Sequence, residues 1–383
     1  MSQLHQFYDH VNVLIKPTDG CNLRCLYCFH QDMGYSPKTM EPETLSRFLE
    51  ITFPHYKSIS IVWHGGEPTF VGLEKFSQYV LLAEAAAEKY GVILKQSMQT
   101  NGTRIDEKFL RFLMDHKIAV GVSYDGPVND YTRNSTKKFM VLNSLMEQHD
   151  VKFGTIAVIS GLNVQKLPEL YQHMKQLKRP VQLNHYVVTS QNAPLEMKMS
   201  AQQYITAMQA LFDQFVQDET CCIEVDPFIR MIRDSYLGYS SLCARSSCMR
   251  NWFCLEPNGE LTPCDRDFPE EYHYGSVFDH DDIRRIYQSP GYLRLMEQAI
   301  QRRKKCQASC KYYGLCEGGC NNNALYETGL ENNGGFSCQV NMGLLSHIEK
   351  WAEETGAFAD YTVVKNPVIR KLLHSLKDTP RRK

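Results

Sequence analysis

A chain of 383 residues with 42 Lys and Arg against 43 Asp and Glu carries a formal charge of −1, so no global attraction to nucleic acid or an anionic membrane is implied. No stretch is long and apolar enough to span a bilayer, and the opening MSQLHQFYDH has no apolar core of an export signal, which points to the cytoplasm. Fourteen cysteines in such a chain read as metal ligands rather than a disulfide scaffold.

The predicted elements alternate through the first half. Strand patterns cover residues 11–16, 58–63, 94–99, 119–124, 153–159 and 181–188. Helical patterns follow at 41–54, 73–90, 107–114, 139–148, 164–177 and 200–216. Six β/α units of this size predict a parallel sheet with helices outside, an α/β fold. We read it as a partial (β/α)6 barrel, where chemistry belongs at the C-terminal ends of the strands. After about residue 220 the pattern breaks into short segments rich in Cys, Gly, Asn and Tyr. The expected domains are therefore 1–222 (barrel), 223–345 (a cysteine-rich domain in which metal binding contributes folding free energy) and 346–383 (a basic, partly helical tail with a solvated helix). No repeats are visible.

Chemistry concentrates first in Cys21-Asn-Leu-Arg-Cys25-Leu-Tyr-Cys28-Phe29, directly after the first strand. Cx3CxxC places three thiolates on one tight loop. That is enough to hold three corners of a [4Fe–4S] cube and leave one iron open. Zinc with His30 as fourth ligand is the competing reading. Trp63-His64-Gly65-Gly66-Glu67-Pro68 follows the second strand, and its two glycines permit close backbone approach. Gln99-Thr100-Asn101-Gly102 ends the third strand. Ser123, Asp125 and Gly126 end the fourth, with Arg133 shortly after. Ile159 to Leu162 end the fifth. His185 and Tyr186 end the sixth and read as packing residues.

CNLRCLYCF resembles the signature of radical S-adenosylmethionine (SAM) enzymes. The resemblance implies a cluster on Cys21, Cys25 and Cys28 whose open iron takes the methionyl amino and carboxylate groups. It also implies SAM contacts from Phe29, Gly65, Gly66, Glu67, Pro68, Asn101, Ser123, Arg133 and Leu162. The C-terminal cysteines resemble a SPASM domain. Their spacing is Cys248-x10-Gly259-x4-Cys264, and then Cys306-x3-Cys310-x5-Cys316-x3-Cys320 with Cys338 after seventeen residues. The usual pattern has two residues, not three, between the first pair of the second block.

By that resemblance two further [4Fe–4S] clusters are expected, making three. The first would use Cys243, Cys248, Cys264 and Cys320, and the second Cys306, Cys310, Cys316 and Cys338. Cys254 is left over as a core thiol, with its exchange for Cys243 or Cys248 as the alternative. Cys221 and Cys222 are also unassigned. Zinc is a rival for both sets on spacing alone. Fully ligated clusters suit electron transfer. Asp265, directly after Cys264, matches the proposed base of anaerobic sulfatase-maturating enzymes; the competing reading is a salt bridge to Arg266.

Two reactions fit. One is crosslinking within a ribosomally made precursor peptide, and the other is oxidation of a sulfatase Cys or Ser to formylglycine. His64 stands where sulfatase maturases usually carry Gln, and Cys28-Phe29-His30 where they carry CFY. Together with the PCDR step, this favours the crosslinking maturases. The expected partners are a peptide or protein substrate, an electron donor such as flavodoxin or ferredoxin, and a separate leader-binding protein, with no nucleic acid and no membrane. A non-enzymatic zinc-binding protein is the reading from another class.

Overall fold

The computed structural model describes residues 8–28, 37–188, 194–240, 242–245 and 248–382. In chain order the elements are β1 (His10–Ile15), α1 (Pro42–Thr52), β2 (Ser58–Trp63), α2 (Gly72–Tyr90), β3 (Ile93–Thr100), α3 (Glu107–Asp115), β4 (Ala119–Ser123), α4 (Asn129–Thr132), α5 (Thr136–Gln148), β5 (Gly154–Ile159), α6 (Leu167–Gln176), β6 (Val181–His185) and α7 (Ala201–Gln217). There follow β7 (Val225–Asp226), α8 (Phe228–Leu237), β8 (Trp252–Leu255), β9 (Leu261–Thr262), α9 (Pro290–Ser309), α10 (Tyr313–Cys316), α11 (Asn321–Glu327), α12 (Phe336–Thr355) and α13 (Pro367–Leu376). All six predicted strands and all six predicted helices are present.

The chain forms two compact units that interleave in sequence. One comprises residues 1–123, 135–153 and 248–297, and the other 124–134, 154–247 and 298–383. In the first, the strands run in the order β4-β3-β2-β1-β8-β9. Every pairing is parallel except β8 with β9. The β2 sequence SISIVW alternates half-buried and buried residues, as a β-branched strand does when its faces differ in burial. Helix α1 starts with Pro42 at its first turn, where the missing N–H costs nothing, and buries Leu45, Phe48, Leu49 and Ile51. Helix α2 stops at Gly91, which takes the left-handed conformation at φ 66°. Trp63 and Phe76 meet edge to face at 5.5 Å, and Phe76 meets Phe109 at the same distance. Burying each such ring contributes on the order of 2 kcal/mol.

Strand β8 was not predicted. The run Trp252-Phe253-Cys254-Leu255 pairs in parallel with β1 from Asn12↔Trp252 to Ile15↔Leu255. The cysteine loop therefore leaves a strand paired on both edges.

In the second unit, β6 pairs in parallel with β5 and with β7. Helix α7 begins with a capping box in which Ser200 and Gln203 exchange hydrogen bonds. Its Phe212 and Phe215 pack on Phe228, and Phe212 also on Trp351 of α12. The solvated-tail expectation is corrected here. Helix α13 buries Ile369 and Leu373, and its cap Asn366, fully buried, donates to the Phe215 carbonyl at 2.7 Å. The apolar stripe of VIRKLLHSL is a packing face. No helix among the described residues is long and apolar enough to cross a membrane.

Candidate cofactor and cluster sites

Within the first unit, the cysteine loop and the GGEP segment are strapped together through their backbones. Gly66 donates to the Thr18 carbonyl at 3.0 Å and Glu67 to that of Gly20 at 2.9 Å. A Cβ on Gly66 would stand 2.3 Å from the carbonyl oxygens of Asp19 and Gly20. The close approach these glycines permit is thus to the cysteine loop itself. Cys25 is buried, Cys28 half-buried and Cys21 exposed. The Cys28 N–H closes a turn onto the Cys25 carbonyl. Phe29 lies outside the described residues.

Glu67 is buried, and its carboxylate is fully engaged within the protein. Oε1 accepts from the Thr69 N–H, the Thr69 hydroxyl and the Thr100 hydroxyl, and Oε2 from the Asn101 N–H at 2.7 Å. It ties the end of β2 to the end of β3. Asn101 turns its amide toward the cysteine loop, donating to Cys21 Sγ at 3.7 Å and to Asn22 Oδ1 at 3.1 Å. Its own Oδ1 accepts from Thr103. Pro68 is buried in the turn that follows Glu67. Ser123 accepts a hydrogen bond from Gln99 at 2.9 Å.

His64 and Asp265 face one another in the same unit, with Nδ1 to Oδ2 at 3.7 Å. Nδ1 is buried without a hydrogen bond, so the ring's exposed edge is the opposite one. Burial opposes charge on Asp265, but His64, the Cys264 thiol, Lys16 and Arg266 outweigh it and hold its carboxyl down to about 2. The charge of Arg266, the partner of the competing reading, is the smallest of these supports, and Asp265 is ion-paired with His64. Lys16, which sequence reading passed over, is buried and ion-paired to Glu256 at 2.8 Å. Burial works against its charge, but Cys254, Glu256 and Asp265 hold its pKa up. Cys254 is fully buried in β8, its thiol 3.7 Å from Glu256, as expected of a core thiol. Of the first auxiliary set, Cys248 and Cys264 belong to this unit. Tyr274 is buried with its hydroxyl unpaired and within electrostatic reach of both thiols, which suits a sulfur-rich group in need of a donor.

In the second unit, Asp125 is completely buried and organises the strand ends. Oδ1 accepts from the Val158 N–H, and Oδ2 from the Thr132 hydroxyl and from Arg133 Nε at 3.1 Å. Arg133 is thereby oriented. The Leu162 N–H reaches the Ser160 hydroxyl. Cys243 and Cys320 also lie in this unit.

The second auxiliary set converges here on one cavity of about 370 Å3. Its walls include Cys306, Cys310, Cys316, Cys320 and Cys338. Burial, followed by the neighbouring thiols of Cys338, Cys306 and Cys310, pushes the Cys316 thiol up to about 11, against the pull of Arg245. Such thiols lose their protons when a metal group arrives. Among the described residues no three Cys, His, Asp or Glu side chains gather closely enough for a single metal ion. Thiols lining one cavity are the donor type that an iron–sulfur cluster takes.

The chain matches the Radical SAM superfamily over residues 15–179 and the SPASM family, an iron-sulfur cluster-binding domain, over 243–320. It is 24% identical over 330 residues to the cysteine-type anaerobic sulfatase-maturating enzyme of Clostridium perfringens, covering 80% of this chain and 88% of that one. The serine-type enzyme of Klebsiella aerogenes is 26% identical over 326 residues, covering 80% and 78%. Among solved structures, anSMEcpe with bound AdoMet aligns at a TM-score of 0.79 with 24% identity, covering 90% and 98%. Streptococcus suis SuiB bound to precursor peptide SuiA aligns at 0.63 with 18% identity, covering 87% and 76%. By these two matches the chain carries a radical SAM domain followed by a SPASM iron–sulfur cluster-binding domain.

Proposed function

We propose that this enzyme abstracts a hydrogen atom from a residue of a peptide or protein and oxidises the substrate by two hydrogens in all, most specifically to form a crosslink within a ribosomally made precursor peptide. The observation that carries the reading is the facing of His64 and Asp265 in the unit that also holds the cysteine loop and the GGEP segment.

Cys21, Cys25 and Cys28 hold a [4Fe–4S] cluster with one open iron. The Gly65–Pro68 backbone, Asn101, Ser123, Arg133 and Leu162 receive SAM, with Phe29 as the further contact that the resemblance implies. The eight further thiols hold two auxiliary clusters, Cys243, Cys248, Cys264 and Cys320 in one and Cys306, Cys310, Cys316 and Cys338 in the other. Loaded with these groups, the protein has a hydrogen-abstracting radical and an electron sink. The chain's own task is then to take up the remaining proton. Asp265 is placed for it, with His64 as the neighbouring acceptor; general base work needs reach first. The departure of His64 from the glutamine usual in sulfatase maturases, and the likeness to SuiB bound to precursor peptide SuiA, support crosslinking.

Formylglycine formation is the second reading, favoured by the curated relatives that span four fifths of this chain. An electron donor such as flavodoxin or ferredoxin, a cytoplasmic setting and a separate leader-binding protein accompany the first reading. The zinc-protein alternative is set aside by the radical SAM match.

Anaerobically purified protein should hold about twelve irons, with matching sulfide, for three cubes. Mass spectrometry of a co-expressed peptide should show loss of two hydrogens with no fragmentation inside a ring. A formylglycine in a co-expressed sulfatase, with peptides left linear, would select the second reading. Cys25→Ala protein that still releases 5′-deoxyadenosine would overturn both.

A further inference from the structure

Two buried guanidiniums stand beside the cavity lined by Cys306, Cys310, Cys316 and Cys338. Arg302 is 1% exposed and lines the cavity. Its guanidinium donates to the carbonyls of Gly318 and Leu330 and to Asn321 Oδ1. All three acceptors are neutral, and no acidic partner stands beside it among the described residues. A buried charge without a counter-charge is expensive.

Arg245 is a second buried guanidinium, one that shares its counter-charge. It is 3% exposed, and both Nη atoms are buried without a hydrogen bond. Its carboxylate neighbour, Asp234 at 3.3 Å, already receives Arg233 and Ser240. The turn that carries Arg245 packs on α10, which ends in Cys316. Two amides complete the shell, with Asn333 donating to Cys306 Sγ at 3.6 Å and Asn341 to Cys316 Sγ at 3.7 Å.

We propose that Arg302 and Arg245, as counter-charge, and Asn333 and Asn341, as N–H donors to its sulfurs, stabilise the reduced form of the cluster in this cavity and raise its reduction potential. The inference rests on the assignment of a cluster to these four cysteines. A four-thiolate cluster is anionic and gains one more negative charge on reduction. Buried cations and N–H···S bonds therefore favour its reduced form, and hydrogen bonds to the sulfurs, net charge and exposure are what set such potentials. Arg302 then finds in the cluster the anion it otherwise lacks.

The test is an EPR-monitored redox titration of full-length, anaerobically reconstituted protein with Cys21, Cys25 and Cys28 all replaced by Ala, so that only auxiliary clusters titrate. Arg302→Gln and Asn341→Leu should each move one midpoint to more negative potential. At fixed potential the reduced-to-oxidised ratio should fall roughly threefold or more, where tenfold corresponds to about 59 mV for one electron. Fully iron-loaded variants with unmoved midpoints overturn the inference. Should Arg302→Gln fail to load, Asn341→Leu decides alone: shifted supports, unshifted refutes. A separate control isolates the underlying assignment. If Cys316→Ala leaves the iron content unchanged, the cavity holds no cluster and the assignment itself fails.

Discussion

Asn101 reaches from the end of β3 to the sulfur of Cys21, its amide nitrogen 3.7 Å from Sγ. Its backbone N–H is held in turn by Glu67 at 2.7 Å. The donor to the first thiolate is thus positioned by the carboxylate of the glycine segment, and three separated motifs act as one device.

Asn101→Ala removes that N–H···S bond. The N-terminal cluster loses a group that favours its reduced state, so its midpoint should become more negative while iron content holds. Redox titration of the N-terminal signal checks this; an unmoved midpoint would detach Asn101 from the cluster.

Gly66→Ala drives a methyl into the carbonyls of Asp19 and Gly20, each 2.3 Å from the new carbon. Backbone cannot yield cheaply, and overpacking of this kind costs about 1–3 kcal/mol. Urea denaturation should show that loss, and iron at the three-cysteine loop should fall with the auxiliary iron retained.

Asp265→Asn keeps size but removes the proposed proton acceptor. General base groups contribute roughly 10²–10⁴-fold, so product should fall by about two orders of magnitude while 5′-deoxyadenosine release persists. His64→Gln restores the side chain that sulfatase maturases usually carry and should cost less, about tenfold on the same scale. Liquid chromatography of both products in one reaction separates the two effects. Equal loss of both products would mean a SAM-binding defect instead.

Acid stability has an identifiable contributor. Burial opposes charge on Asp218, but hydrogen bonds from Lys175, Tyr171 and Thr220 outweigh it and lower its carboxyl from 3.8 to about 2. The folded value lies below the unfolded one. Its stabilisation is therefore complete above about pH 4 and disappears as pH falls through 2. The side chain is only 11% exposed, so the contribution is about 2 kcal/mol. Asp218→Asn should remove that much at pH 7 in urea denaturation and flatten the fall in stability between pH 4 and 2.

Much of the architecture was legible because it is local. Each barrel strand is a short β-branched run followed by a helical period, and GGEP reads as a strand-end turn. What escaped was set by distant partners. Trp252 to Leu255 looks like an apolar patch around a spare thiol, and only pairing with β1 reveals a strand. Asp125 reads only as a strand-end carboxylate, whereas it anchors Val158, Thr132 and Arg133 across two β/α units. Glu67 carries no sequence sign that its carboxylate is fully bonded within the fold. Arg245 and Arg302 are ordinary basic residues in sequence. Their position near cysteines was the one available signal, Arg245 lying between Cys243 and Cys248.

Lys16 and Glu256, ion-paired beside the junction of β1 and β8, are 240 residues apart in sequence. During synthesis, β1 emerges from the ribosome early and waits with one side bare until β8 is made. A protein cut short before Trp252 would present that strand as an open template for sticking to other chains. Secure seating of the first iron–sulfur group thus depends on the ribosome having passed well beyond the barrel.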